Sequence, residues 1–171
     1  QRSELSTRSP ESRKRLLSFD FAGNYDRYSA SRLYDRRSPR PNPACLALIA
    51  NEIRRSGSRV LDFGCGNGRY VAPLLECTDA TLVAYDISSE AIRELSRRQA
   101  PHIESGRLRP LLGDLAALRA AVGADEGFDL AIMMFGVLGH IASGALRQQA
   151  LATLRDLLRP GGRLIVTVPN I

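Results

Sequence analysis

The chain has 171 residues, 44% of them hydrophobic and 25% charged, enough for one hydrophobic core and too few for two ordinary domains. Its longest apolar stretches are strand-sized and interrupted, short of the roughly 20 apolar residues a membrane helix needs, and residues 1–15 are polar and Arg-rich without the apolar centre of a signal peptide. The formal net charge of +6 is uneven, because residues 1–45 carry ten Lys or Arg against five acids and the remainder carries 14 against 13.

Residues 1–17 read as a basic, flexible leader. Such a leader suits the phosphates of RNA or another anion, although it lacks aromatic platforms at the spacing of an RNA-binding module. Residues 18–43 change character, since Phe19, Phe21, Tyr25, Tyr28 and Tyr34 supply five of the ten aromatic residues in the chain. That segment is too apolar for a free tail and predicts an N-terminal helix packed on the sheet. Pro39, Pro41 and Pro43 stiffen the connection to a helix over residues 44–56, carrying Leu46, Leu48, Ile49 and Ile53. The core domain is expected over residues 44–171.

Residues 59–70, RVLDFGCGNGRY, are the most informative stretch. A short apolar run broken by Asp62 leads into a loop with glycine at every second position, Gly64, Gly66 and Gly68. Glycine lets such a turn use positive φ and leave amides uncovered, and a helix starting near Arg69 would point its partly positive end into the same space. Strand, bare turn and helix together predict a nucleotide-type pocket. The dinucleotide fingerprint places its third glycine three residues after the second, with an acid about 20 residues further on. Here only Asn67 separates the second and third glycines, which argues against a dehydrogenase.

Residues 80–87 read as a strand buried on both faces and ending in Asp86, beside the glycine loop. A helix over 89–99 follows, and Ser88 can cap it, which would leave Asp86 free. The run LRPLLGDLAAL (108–118) gives a third strand closed by Gly113 and Asp114, then FDLAIMMFGVLGHI (128–141) gives a fourth strand and a loop containing Phe135 and His140. In LRDLLRPGGRLIVTVPN (154–170), Pro160, Gly161 and Gly162 end a helix over 144–158 and turn into a fifth strand. Alternating strands and helices predict right-handed crossovers, a parallel doubly wound α/β sheet, and a ligand at the strands' carboxyl ends where the winding reverses.

Taken together, residues 59–170 resemble the class I S-adenosylmethionine-dependent methyltransferases. The resemblance implies a Rossmann-like sheet of order 3-2-1-4-5, with S-adenosylmethionine as cofactor and S-adenosylhomocysteine as product. It places the cofactor against Asp62, Gly64, Cys65, Gly66, Asn67 and Gly68, with Cys65 lining the pocket. Asp86 takes the ribose hydroxyls, with Ile87 beside it. Gly113, Asp114 and Leu115 serve the adenine, Asp114 at its amino group. Phe135 joins them from the loop after the fourth strand. Tyr25 or Tyr28 would cover the methionine end as part of a lid, and Arg32 would meet a carboxylate or phosphate. The family normally adds two further strands after the segment matching 163–169, so the chain is expected to be a fragment, or to have its open sheet edge completed by a protein partner or a second copy.

Displacement at a sulfonium needs alignment and exclusion of water more than acid catalysis. A base is required only for a protonated acceptor, and His140 is the residue of suitable type at the rim. His102, after Pro101, has no such context. The expected activity is methyl transfer to an O, N or C nucleophile of a small molecule. The run from MMFGVLGHI through Arg147 also resembles, more loosely, tRNA wobble-uridine methyltransferases, although Gly139 stands where those tend to carry a first of two histidines. An RNA acceptor is therefore the second reading, and an inactive cofactor-binding subunit of a methyltransferase complex the third. Cys45, Cys65 and Cys77 are odd in number and lack C-x-x-C spacing, which argues against a disulfide scaffold or a zinc site and fits reduced thiols in the cytoplasm. Nothing in the sequence requires a metal.

Overall fold

The computed structural model describes residues 21–31, 40–122 and 127–168. The basic leader lies outside the described residues, as do Phe19, Arg32 and Tyr34 and the side chain of Tyr28.

Helices α1 (Phe21–Ala30) and α2 (Pro43–Ser56) precede β1 (Arg59–Phe63), α3 (Val71–Cys77), β2 (Thr81–Asp86), α4 (Ser89–Arg98) and the short α5 (Ala100–Glu104). Then come β3 (Leu108–Leu112), α6 (Leu115–Val122), β4 (Phe128–Met133), a single turn α7 (Val137–His140), α8 (Gly144–Leu157) and β5 (Leu158–Val166). The strands form one sheet, parallel throughout, in the order β3-β2-β1-β4-β5. The parallel pairing is what the alternation predicts, and the Rossmann-like strand order is the one the family resemblance implies. No helix among the described residues is long and apolar enough to cross a membrane.

Both faces of the sheet are covered, which explains why β1 and β4 are apolar at nearly every position. Alternate residues point to opposite faces. Val60, Leu82, Leu130 and Ile132 pack under α2, α3 and α4 with Ile49, Leu74 and Leu95. Leu61, Val83, Ala131 and Met133 pack under α6 and α8 with Leu118 and Leu154. Helix starts follow local capping chemistry: Asn42 accepts the amides of Ala44 and Cys45 ahead of α2, Ser88 accepts that of Ala91 in α4, and Ser143 accepts that of Leu146 in α8.

Several boundaries differ by a residue or two from the sequence reading, and two of them matter to the site and the sheet. Helix α3 begins at Val71 rather than near Arg69, because residues 66–70 stay in turns after the glycine loop. Helix α8 stops at Leu157, and Leu158 already pairs with Phe128; the next paired residues are Leu130 and Arg163, so residues 159–162 bulge out of the ladder. The short helices α5, which holds His102, and α7, which holds His140, carry no periodic signal in the sequence.

The far end of the sheet is tied by Asp129, the acid that opens β4. It is only 6% exposed. One oxygen pairs with Arg159 Nε at 2.6 Å and the other accepts the Arg59 amide at 2.9 Å, joining β4 to β5 and β1. Asp129→Asn keeps the shape and removes the charge, so it should lower unfolding free energy by about 1–3 kcal/mol in urea titration. Unchanged stability would mean that the contact is solvent-screened.

Candidate active site

The carboxyl ends of β1, β2 and β4 open into a cleft of about 670 Å³. It lies where the strand order reverses, the position at which doubly wound sheets bind ligands. The glycine loop contributes Gly64, Gly66 and Asn67; β2 and its turn contribute Asp86 and Ile87; Asp114 and Leu115 follow β3. Phe135, Val137 and His140 close the other side, and Tyr25 of α1 stands above. A second hollow of about 630 Å³ lies at the opposite end of the strands. There Arg107 spends its guanidinium on the carbonyls of Leu75, Thr78 and Ala80, a structural use at the end of α3.

The loop is stitched to β2 rather than left bare. The amides of Gly64 and Cys65 both donate to the Tyr85 carbonyl, at 2.8 and 3.0 Å, and Gly68 donates to the Cys65 carbonyl at 3.1 Å. The Gly66 amide donates to Asp86 Oδ2 at 2.8 Å. Gly66 has φ +54 with nothing within 4 Å of where a Cβ would stand, so this bend leaves the cleft floor open. Gly68 has φ +91, backbone that L side chains rarely adopt, and a Cβ there would also come within 2.4 Å of Leu95 Cδ1.

Asp62, Cys65, Gly68 and Gly113, also expected at the cofactor, are not among the residues that line the cleft. Cys65 packs in the core with Tyr70, and burial pushes its thiol well above its ordinary value. Asp62 is 2% exposed on β1; burial first, then the charge of Asp86, pushes it up to about 7. Ser88 does cap α4, yet both oxygens of Asp86 are engaged, Oδ2 by Gly66 and Oδ1 by the Ser88 amide at 2.9 Å. Burial holds its pKa above the ordinary carboxylate value, against the pull of these two amides, which lower it. Asp114 lies on the cleft wall and caps α6 through the Ala117 amide at 2.9 Å.

Across the cleft, the Tyr25 and His140 rings meet edge to face with centroids 6.1 Å apart. Burial, then the Asp86 charge, raises the Tyr25 phenol. Phe135 has φ +60, the one non-glycine residue with left-handed backbone among the described residues, and the Arg69 guanidinium stands 4.2 Å from its ring centroid. Sequence reasoning missed Tyr85, Val137, Ile141 and Asp26. The first three belong to apolar runs without a chemical signature, and Asp26 acts across a distance in sequence that no local pattern carries. No group of three or more His, Cys, Asp or Glu among the described residues is placed to hold a metal ion.

Residues 60–162 match the family described as "Methyltransferase domain". The chain belongs to the class I S-adenosylmethionine-dependent methyltransferase family. This methyltransferase domain is 35% identical over 134 residues to a ubiquinone biosynthesis O-methyltransferase of Xylella fastidiosa, covering 75% of this chain and 49% of that protein. It is 31% identical over 113 residues to the mouse tRNA (carboxymethyluridine(34)-5-O)-methyltransferase ALKBH8, covering 66% of this chain and 15% of that one. The fold matches that of the N-methyltransferase NodS from Bradyrhizobium japonicum with a TM-score of 0.67 at 20% identity, over 86% of this chain and 72% of that one. The chain thus spans less than half the length of the curated relatives it first matches.

Because Asp62 binds its proton more tightly folded than unfolded, its contribution to stability is full below about pH 4 and is lost as pH rises through about 7. Asp62→Asn removes that loss. Relative to the parent, its unfolding free energy should rise by roughly 1 kcal/mol per pH unit between pH 5 and 7, read from denaturant titrations across that range. A pH-independent difference would show that the carboxylate ionises normally in the fold.

Proposed function

We propose that this domain transfers the methyl group of S-adenosylmethionine to a small-molecule acceptor and releases S-adenosylhomocysteine. The observation that carries the reading is the Asp86 carboxylate, held at the end of β2 above the open bend at Gly66, on the floor of a cleft large enough for a nucleoside and an acceptor. Bound there, S-adenosylmethionine supplies a methyl group on a positively charged sulfur, electrophilic without an acid catalyst.

The residues present fit that group. Each carboxylate oxygen of Asp86 has lone pairs beyond the one used by an amide, so it can accept ribose hydroxyls. Ile87 and Leu115 offer apolar walls for an adenine, and Asp114 an acceptor for its amino group. Gly64 and Asn67 border the remaining length, and Tyr25 shields it from water. His140 faces the cleft beside Tyr25, where an imidazole nitrogen can take the proton an acceptor hydroxyl gives up.

A small acceptor is favoured by the walls. Beyond His140 they are apolar, with Val137, Ile141, Ala142 and Leu146, and the carboxylates of Asp86, Glu90, Glu94 and Asp114 outnumber the single guanidinium of Arg98 on the lining. An acidic wall repels a polyanion. The Xylella relative, an O-methyltransferase of ubiquinone biosynthesis, supports an oxygen nucleophile. An RNA acceptor is the second reading, favoured by the tRNA methyltransferase relative and by the charge of residues 1–45.

Calorimetric titration with S-adenosylmethionine should give heat for the native protein, with affinity about 10–100-fold weaker in Asp86→Ala, the size expected for lost hydrogen bonds to a charged group. His140→Ala should keep that affinity and slow methyl transfer to phenolic acceptors by about 100-fold or more. Label entering bulk tRNA but no small molecule would select the RNA reading; binding without transfer to either would select the inactive subunit. No heat from the native protein would overturn all three.

A further inference from the structure

Asp26 lies one residue after Tyr25 on α1, and its carboxylate reaches the start of α4, 62 positions away. Oδ1 accepts the Ser88 hydroxyl at 2.7 Å and the Glu90 amide at 3.1 Å, while Oδ2 accepts the Ser89 hydroxyl at 3.0 Å. An acid here satisfies amides that the first turn of α4 leaves without intrahelical partners, and it faces the positive end of the helix.

Ser88 is 1% exposed and is shared between two acids. Its hydroxyl donates to Asp26 and accepts the Ala91 amide at 3.2 Å, and its own amide donates to Asp86 Oδ1. The other oxygen of Asp86 accepts the Gly66 amide. An unbroken hydrogen-bonded path therefore runs from α1 through Asp26, Ser88 and Asp86 to the glycine loop. The Ser88 hydroxyl is the main reason Asp26 stays below its ordinary carboxylate value.

We propose that Asp26 is a positioning residue for the cofactor-binding acid: by fixing Ser88 it orients the Asp86 carboxylate, and by the same contact it docks α1 with Tyr25 over the cleft. The proposal rests on the methyltransferase reading for its ligand, but the path itself is present in the protein alone. A plain helix cap differs in consequence, because its loss costs stability and leaves nucleoside affinity as it was.

The test combines affinity with local protection. S-adenosylmethionine is titrated calorimetrically into the native protein, Asp26→Ala, Asp26→Asn, Ser88→Ala and the Asp26→Ala/Ser88→Ala double variant. Asp26→Ala and Ser88→Ala should each weaken binding by about tenfold, and the double variant should be no weaker than the worse single, because both cut one path. Asp26→Asn keeps one acceptor oxygen and should fall between native and Asp26→Ala. Hydrogen exchange of residues 21–31 and 86–91 should quicken together in Asp26→Ala without ligand, while that of β4 stays native and shows an intact core. Native affinity in Asp26→Ala, or additive losses in the double variant, would overturn the proposal while the cofactor reading stands. No heat from the native protein would instead overturn the cofactor reading; unchanged exchange at 86–91 in ligand-free Asp26→Ala would then overturn the path as well.

Discussion

A carboxylate at the end of a strand, half-withdrawn from water and held by two backbone amides, organises this cleft. Asp86 takes one hydrogen bond from Gly66 on the loop after β1 and one from Ser88 at the start of α4. Burying a charged group without such partners is costly, so the loop must turn back far enough to bring an amide to Asp86. That return is secured by the Tyr85 carbonyl, which accepts both Gly64 and Cys65. The parallel pairing of Phe63 with Tyr85 sets the register that makes these bonds reachable. Loop, strand end and helix start are thus one assembly, and the cleft is the space they leave above it.

The two sides of that space differ in chemistry. On the Asp86 side, carboxylates and amides suit a sugar and a base. On the other, α7 and the start of α8 present Val137, Ile141 and Leu146, with His140 the titratable group among them. Phe135 enters this side with left-handed backbone, an arrangement that costs about 1–3 kcal/mol and persists only where its surroundings impose it. Methyl transfer asks for this division, with one surface to grip the donor and a drier one to align an acceptor nucleophile.

Much of this architecture is legible in the sequence because strands buried on both faces leave nearly continuous apolar runs, as in β1 and β4. The spacing of Gly64, Gly66 and Gly68 and the acid at Asp86 locate the cleft for the same local reason. What each glycine does is only partly local. Gly68 and Gly113 hold positive φ, and a Cβ at either would also crowd Leu95 on α4 or Ala117 on α6, contacts that exist only after packing. The inward turn of Cys65 and the burial of Asp62 likewise depend on helices laid over β1. Asp26 shows the limit most plainly. Nothing around a Tyr-Asp pair on an aromatic helix signals that its carboxylate closes the first turn of another helix 62 residues on.

Whether the Asp86 carboxylate, fixed by loop and helix amides, anchors an adenosyl group in this cleft is read from a crystal structure of the protein soaked with S-adenosylhomocysteine. The ribose hydroxyls should lie within hydrogen-bond distance of Asp86, the adenine between Ile87 and Leu115, and the sulfur on the side of His140. A nucleoside bound elsewhere, or a cleft closed by side chains with Asp86 touching only Gly66 and Ser88, would contradict it.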